Sequence, residues 1–235
     1  MLDALRDVFD EAPELYDRVR PGYPEAVFDD LIGLAGLGPG SRVLEVGCGT
    51  GQATVPLARR GLAVTAVELG AGLAEVARHN LARYPHVAVL NAAFEEWTAP
   101  KAFDAVVAAT SFHWLDPAVR LGKIEDALRP GGAVAIISTH HVAGGDAGFF
   151  EDVQRCYETW MPGTPTGERL PEADDVPQAD RDELQRSGRF ADAVVRRYER
   201  DLSYTTREYR DLLSTYSGHR ALAADAREAL LGCIA

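Results

Sequence analysis

Val43-Leu44-Glu45-Val46-Gly47-Cys48-Gly49-Thr50-Gly51-Gln52 is the stretch whose reading decides the fold. An apolar run ends in glycines at alternate positions, and a helical segment follows. Apolar, β-branched residues at this density read as a strand buried on both faces, the kind found in parallel sheets. Glycines after such a strand let the backbone turn sharply and touch a ligand, because no Cβ stands in the way. A glycine-dense turn at the carboxyl end of the first strand is where open α/β sheets bind nucleotides. Spacing narrows the choice. A dinucleotide turn needs GxGxxG, whereas Gly47, Gly49 and Gly51 run GxGxG, and no GK[ST] follows as a phosphate loop requires.

Outward from this turn the pattern repeats. Short apolar runs near Arg42–Val46, Ala63–Glu68, Val87–Asn91, Ala105–Ala109 and Ala133–Ser138 alternate with helical segments at Thr50–Arg60, Ala71–Tyr84 and Pro117–Leu128. That alternation marks βαβ units on a parallel sheet, each strand apolar enough to be buried on both faces. Pro130, Gly131 and Gly132 stop the last of these helices, since proline cannot continue a helix and glycine takes positive φ at its end. The expected fold is α/β: a Rossmann-like, doubly wound, mostly parallel sheet with helices on both faces. One domain is expected over residues 1–235, with an N-terminal helical arm (1–40), a core (41–141), a polar, proline-rich lid or insertion (142–190) and a C-terminal strand and helices (191–235). Within the last part, Ala193–Tyr204 alternates apolar and charged residues as a half-exposed strand does. Thr206–Ile234 reads as one or two helices, and no further strand signal follows.

Composition excludes several classes. The 235 residues carry 36 Asp and Glu against 24 Lys and Arg, a formal charge of −12. Affinity for nucleic acid rests largely on Lys and Arg neutralising phosphates, so no nucleic-acid partner is expected. No apolar run approaches the roughly 20 residues that span a bilayer, and no basic-then-apolar leader opens the chain. No membrane partner is expected, and the cytoplasm is the expected compartment. Cys48, Cys156 and Cys233 are odd in number, far apart and without CxxC spacing, which predicts reduced thiols and no zinc site. His140 and His141 are adjacent on a strand end and face opposite sides, so no metal is expected there either. A monomer or homodimer is expected.

Glu45-Val46-Gly47-Cys48-Gly49-Thr50-Gly51, an acidic residue leading into GxGxG, resembles the first motif of class I S-adenosylmethionine-dependent methyltransferases. Further segments are similar to that family in order and spacing. Glu68 ends the second strand, and Asn91-Ala92-Ala93-Phe94-Glu95-Glu96-Trp97 follows the third. Along and beyond the fourth, Phe103-Asp104-Ala105-Val106-Val107-Ala108-Ala109-Thr110-Ser111-Phe112-His113-Trp114-Leu115-Asp116 resembles the trans-aconitate methyltransferase type. Tyr16-Asp17-Arg18-Val19-Arg20-Pro21-Gly22-Tyr23-Pro24 is similar to the N-terminal arm of the same subgroup.

The resemblance implies the class I methyltransferase fold, without a signal for its last strand, and S-adenosylmethionine as cofactor with S-adenosylhomocysteine as product. It implies that Glu45, Gly47, Cys48, Gly49, Thr50 and Gly51 wrap the methionine half, that Glu68 and Leu69 meet the ribose, and that Ala93 and Phe94 bracket the adenine. Ala93 stands where the family frequently has an acidic residue, which leaves the adenine to backbone contacts. Ala109 and Thr110 line the cofactor from the fourth strand, and Tyr16 and Arg20 reach its carboxylate from the arm. This ligand has no phosphate and presents an ammonium and a sulfonium, which suits an acidic strand end.

Transfer from a sulfonium needs an in-line nucleophile within about 3–3.5 Å and exclusion of water. His113, just past the fourth strand, is the candidate general base, because imidazole titrates near neutrality. A structural role, bonding a carbonyl and holding Trp114, is the alternative. Trp114, His140 and Tyr23 are the candidates for contact with the acceptor. The expected function is methyl transfer to a small-molecule acceptor. A non-catalytic S-adenosylmethionine-binding module and a nicotinamide-dependent oxidoreductase are the alternatives, the second disfavoured by the glycine spacing.

Overall fold

The apolar runs do pair as parallel strands. The computed structural model describes residues 8–98 and 102–235. Its strands are β1 (Arg42–Val46), β2 (Ala63–Glu68), β3 (Val87–Asn91), β4 (Phe103–Ala109) and β5 (Leu128–Ile137), joined in one sheet of order β3-β2-β1-β4-β5. The helices are α1 (Pro13–Val19), α2 (Glu25–Ala35), α3 (Thr54–Arg59), α4 (Ala71–Leu81), α5 (Arg120–Ala127), α6 (Ala147–Trp160), α7 (Ala179–Ser187), α8 (Thr206–Leu213), α9 (Ser217–Arg220) and α10 (Ala224–Ile234). Among the described residues, no helix is long and apolar enough to cross a membrane.

Strand order explains where a ligand can sit. The chain moves outward from β1 to β3, then returns to lay β4 against the other side of β1, with Leu44 opposite both Thr65 and Val106. Neighbouring connections diverge at β1 and β4, which opens a crevice at the carboxyl ends of these two strands. Consecutive side chains of a strand face opposite sides. Val43, Val64 and Val107 therefore pack with Phe28, Leu57 and Leu81 on one face, and Leu44, Val67 and Val106 with Phe112 and Ile124 on the other. Full burial of both faces holds only for the inner strands. At the edge, β3 exposes Ala88 and Asn91 because β2 alone covers its flank.

Pro130-Gly131-Gly132 ends α5 in a way the sequence does not show. Phe103 pairs with Leu128 and Ala105 with Ala133, so the residues between Leu128 and Ala133 form a bulge inside the β4–β5 ladder. Gly131 takes φ 75° there. The strand begins at Leu128, where the sequence predicts Ala133.

The chain divides into two compact units. One joins residues 21–139 and 178–198 and holds the sheet. The other joins 1–20, 140–177 and 199–235, of which residues 1–7 lie outside the described residues. In this second unit Val153 of α6 packs with Leu213 of α8 and with Leu230, Leu231 and Ile234 of α10. A capping box of Thr205 and Glu208 starts α8, and the Asp146 side chain caps α6 through Phe149 N.

Two expectations need correction. Residues 193–204 form no strand: the segment lacks regular structure, Val194 and Val195 are 58% and 43% exposed, and the Tyr198 hydroxyl bonds Asp30 instead. An alternating pattern becomes a strand only where a neighbouring edge offers a ladder. The cysteines are also not all reduced, because Cys156 and Cys233 are disulfide-bonded while Cys48 is a buried free thiol. Packing of α6 against α10 brings their Cα atoms to 5.8 Å across a sequence separation of 77, a proximity that spacing alone does not reveal.

Candidate functional site

β1 ends at Val46 and the chain turns at once. Gly47, Gly49 and Gly51 take φ 69°, 57° and 103°, the region that favours glycine. At Gly47 the reason is another loop, since a Cβ there would lie 2.6 Å from Ser111 Cβ. Ser111 opens the turn after β4, and its hydroxyl donates to Val46 O. The two turns thus cross at the point where the winding reverses. Thr50 is buried behind them, its carbonyl accepting from Asn80 Nδ2 at 3.0 Å and its hydroxyl from Gln52 Nε2 at 2.7 Å.

Two buried carboxyl groups stand beside the turn. Glu68, at the end of β2, accepts from Gly49 N at 2.8 Å and from Gly70 N at 2.9 Å. Asn91, at the end of β3, donates to the carbonyls of Glu68 (3.0 Å) and Leu69 (2.7 Å) and so shapes the same corner. Leu69 is left 37% exposed. Glu45 of β1 is only 1% exposed, and its Oε2 is buried without a hydrogen-bond partner, as is Thr54 Oγ1. Burial pushes the Glu45 carboxyl up to about 8; the nearby Thr54 hydroxyl opposes this and the charge of Glu68 adds to it. Burial also pushes the Cys48 thiol up, which makes it a poor nucleophile and leaves it a packing role in the turn.

The turn after β4 begins with strain. Thr110 has φ 56°, and among the described residues no other non-glycine takes positive φ. For a β-branched residue this is a conformational outlier. It is held by Thr110 N donating to Ile137 O at 2.7 Å and by a 2.9 Å bond between the Thr110 and Tyr23 hydroxyls. A 3-10 turn, Phe112–Trp114, follows. It buries Phe112, exposes His113 and half-buries Trp114, with the His113 and Trp114 ring centroids 4.9 Å apart.

One unit therefore holds Tyr23, Glu45, Gly47, Cys48, Gly49, Thr50, Gly51, Glu68, Leu69, Ala93, Phe94, Ala109, Thr110, His113 and Trp114. Phe94 is 3% exposed within the apolar face of β4, so most of its ring is taken by the core. Ala93 turns the chain after β3, its carbonyl accepting from Glu96 N and Trp97 N. Tyr16, Arg20 and His140 belong to the other unit. There the Arg20 guanidinium lies 4.9 Å from the Tyr16 ring and 4.6 Å from the Tyr216 ring, and donates to Thr215 Oγ1 (2.9 Å) and Thr215 O (2.8 Å). These contacts engage the group that the resemblance assigns to the cofactor carboxylate. Sequence reasoning missed Ser111, Asn80 and Asn91, which act on the backbones of other turns. A polar residue closing an apolar run was the available signal for Asn91.

Residues 43–132 match the family described as a methyltransferase domain. The chain is 37% identical over 129 residues to an uncharacterized methyltransferase of Mycobacterium tuberculosis, a match covering 55% of this chain and 51% of that protein. It is 38% identical over 100 residues to a ubiquinone biosynthesis O-methyltransferase of Xanthomonas campestris, covering 41% and 42%. The chain spans about half the length of the mycobacterial relatives it matches. Among solved structures it is similar to the CcbJ methyltransferase of Streptomyces caelestis, at 26% identity and TM-score 0.45 over 55% of this chain and 56% of that one, too loose a likeness to bear on function. The glycine turn, both buried carboxyl groups and the turn after β4 all lie within the residues that match the methyltransferase-domain family.

Proposed function

We propose that this chain transfers a methyl group from S-adenosylmethionine to a small-molecule acceptor. The observation that carries the reading is Glu45, a carboxyl 1% exposed with an unpartnered oxygen, beside a glycine turn at the carboxyl end of β1. A site built for an anion presents N–H groups and cations. This corner instead adds the carboxylate of Glu68 and the buried Glu45 carboxyl, which a neighbouring cation would draw into its charged form, and that fits a ligand bearing an ammonium and a sulfonium. The turn from Gly47 to Gly51 would hold the methionine half. Glu68, already the acceptor for Gly49 N and Gly70 N, would also accept from the ribose hydroxyls and so join ligand and turn through one group. Exposed Leu69 offers apolar ground for the adenine.

When bound, the cofactor supplies a methyl group activated by a positively charged sulfur. The protein's part is to align the acceptor and exclude water. The hydroxyls of Thr110 and Tyr23 orient the acceptor, a ring nitrogen of His113 takes its proton, and Trp114 walls it. A charge of −12 disfavours polyanionic acceptors, and the name of the Xanthomonas relative supports oxygen on a small molecule as the kind of atom methylated. The test is transfer of labelled methyl from S-adenosylmethionine to a panel of small phenols, acids and amines. The expected result is turnover with one class, lowered roughly 100-fold by His113→Ala while S-adenosylmethionine affinity stays within a few fold. Equal turnover in the two proteins would remove His113 from the chemistry.

A further inference from the structure

Arg120, the first residue of α5, is 8% exposed, in a helix whose other buried residues are Leu121, Ile124 and Ala127. Burying a guanidinium is costly unless its donors find acceptors. Here Nε and Nη2 fork onto the carboxylate of Glu183 in α7, Nε at 2.8 Å. Nη1 donates to Phe112 O at 2.9 Å and reaches Leu115 O at 3.4 Å, and the guanidinium lies 4.1 Å over the Phe112 ring. Those two carbonyls bracket His113 and Trp114. The near end of the same turn is tied by Thr110 N to Ile137 O and by the Ser111 hydroxyl to Val46 O. A backbone anchored on both sides thus carries an exposed histidine.

We propose that Arg120 and Glu183 are positioning residues for His113 and Trp114. Glu183 fixes the guanidinium, and the guanidinium's remaining donor fixes the carbonyls on either side of the two side chains. The assignment rests on reading this turn as the acceptor side of a methyl-transfer site. In-line transfer loses on the order of 100-fold for a misplacement of about 1 Å, and a short turn with exposed side chains keeps such a geometry only if its backbone is held. A merely structural ion pair would add stability and leave the turn's local order unchanged when altered.

The chain has 3 tryptophans, so Trp97→Phe with Trp160→Phe leaves Trp114 as the sole reporter of the turn. In that background Glu183→Gln removes the charge at constant size, and Arg120→Lys keeps the charge but removes the fork. Acrylamide quenching of Trp114 should rise roughly twofold in both variants, with the emission shifted to the red, while the melting midpoint of Arg120→Lys stays within a few degrees of its parent. Should Glu183→Gln fail to fold, Arg120→Lys carries the test. Unchanged quenching in the folded variants overturns the assignment. Titration of the parent with S-adenosylhomocysteine separates the two claims: heat with an unresponsive Trp114 sinks the positioning role alone, and no heat with a responsive Trp114 sinks the cofactor reading while the clamp on the turn stands.

Discussion

A methyl group added at Gly47 would meet Ser111 Cβ at 2.6 Å on a backbone already at φ 69°. Gly47→Ala should therefore cost about 2 kcal/mol, or roughly 4–8 °C of melting temperature in a chain of this size. Scanning calorimetry of Gly47→Ala with and without Ser111→Gly checks the cause, because removing the Ser111 Cβ should recover part of the loss. A melting temperature unchanged in Gly47→Ala would show that the two turns do not meet this closely. Glu68 carries two duties. From sequence it reads as a ligand group that meets the ribose, but its oxygens also hold Gly49 N and Gly70 N. Glu68→Gln should weaken S-adenosylhomocysteine binding roughly 10–100-fold, as loss of a charge-assisted bond of about 1.5–3 kcal/mol implies. It should also lower the melting point of the ligand-free protein, and an unaltered affinity would leave Glu68 a structural role only. The glycine turn was legible because its signal is local. Ser111, 65 residues from the Val46 carbonyl it binds, and Arg120, 63 from Glu183, were not, because only folding brings their partners near.

Among the elements, β1 and β2 were legible to the residue and β4 except for its first two residues, since burial on both faces demands an unbroken apolar run and leaves little room for another reading. β5 was read short because Pro130-Gly131-Gly132 looks like a loop in sequence and is a bulge in the ladder. Residues 193–204 have the period of a strand without the partner edge that would make them one. In the second unit the aromatic residues carry a consequence for pH. His219 of α9 is stacked between Tyr157 and Tyr216, each ring centroid 5.5 Å away, and its Nδ1–H donates to Leu213 O at 2.7 Å. Burial holds its pKa below the ordinary histidine value, with the bond to Leu213 opposing and the charge of Arg20 assisting. The unfolded chain takes up this proton near pH 6.5 while the folded chain resists it, so the stabilisation is full above about 6.5 and is lost as pH falls below it. Thermal melts from pH 7.5 to about 5 should show the loss, and His219→Phe, which keeps an aromatic ring in the stack, should flatten it. The same slope in both proteins would place the acid sensitivity elsewhere.

At the scale of the whole molecule, strand order and charge point the same way as the local motifs. Order β3-β2-β1-β4-β5 opens its crevice beside the glycine turn, and the −12 charge favours a small acceptor over a polyanion. The fold class was legible from the alternation of strands and helices alone. The pairing of Cys156 with Cys233 was not, because α6 and α10 meet only after packing. On the proposed function, a cation-bearing nucleoside cofactor sits in the turn from Gly47 to Gly51. Titration calorimetry with S-adenosylhomocysteine on the unaltered protein and on Gly49→Val tests it most directly. Gly49 has φ 57°, which valine resists, and its N–H holds Glu68. Saturable heat is expected from the unaltered protein, none from a Gly49→Val protein that keeps its far-ultraviolet circular dichroism, and none from either with a nicotinamide dinucleotide. Equal heats from both proteins, or binding of the dinucleotide in place of S-adenosylhomocysteine, would contradict that placement.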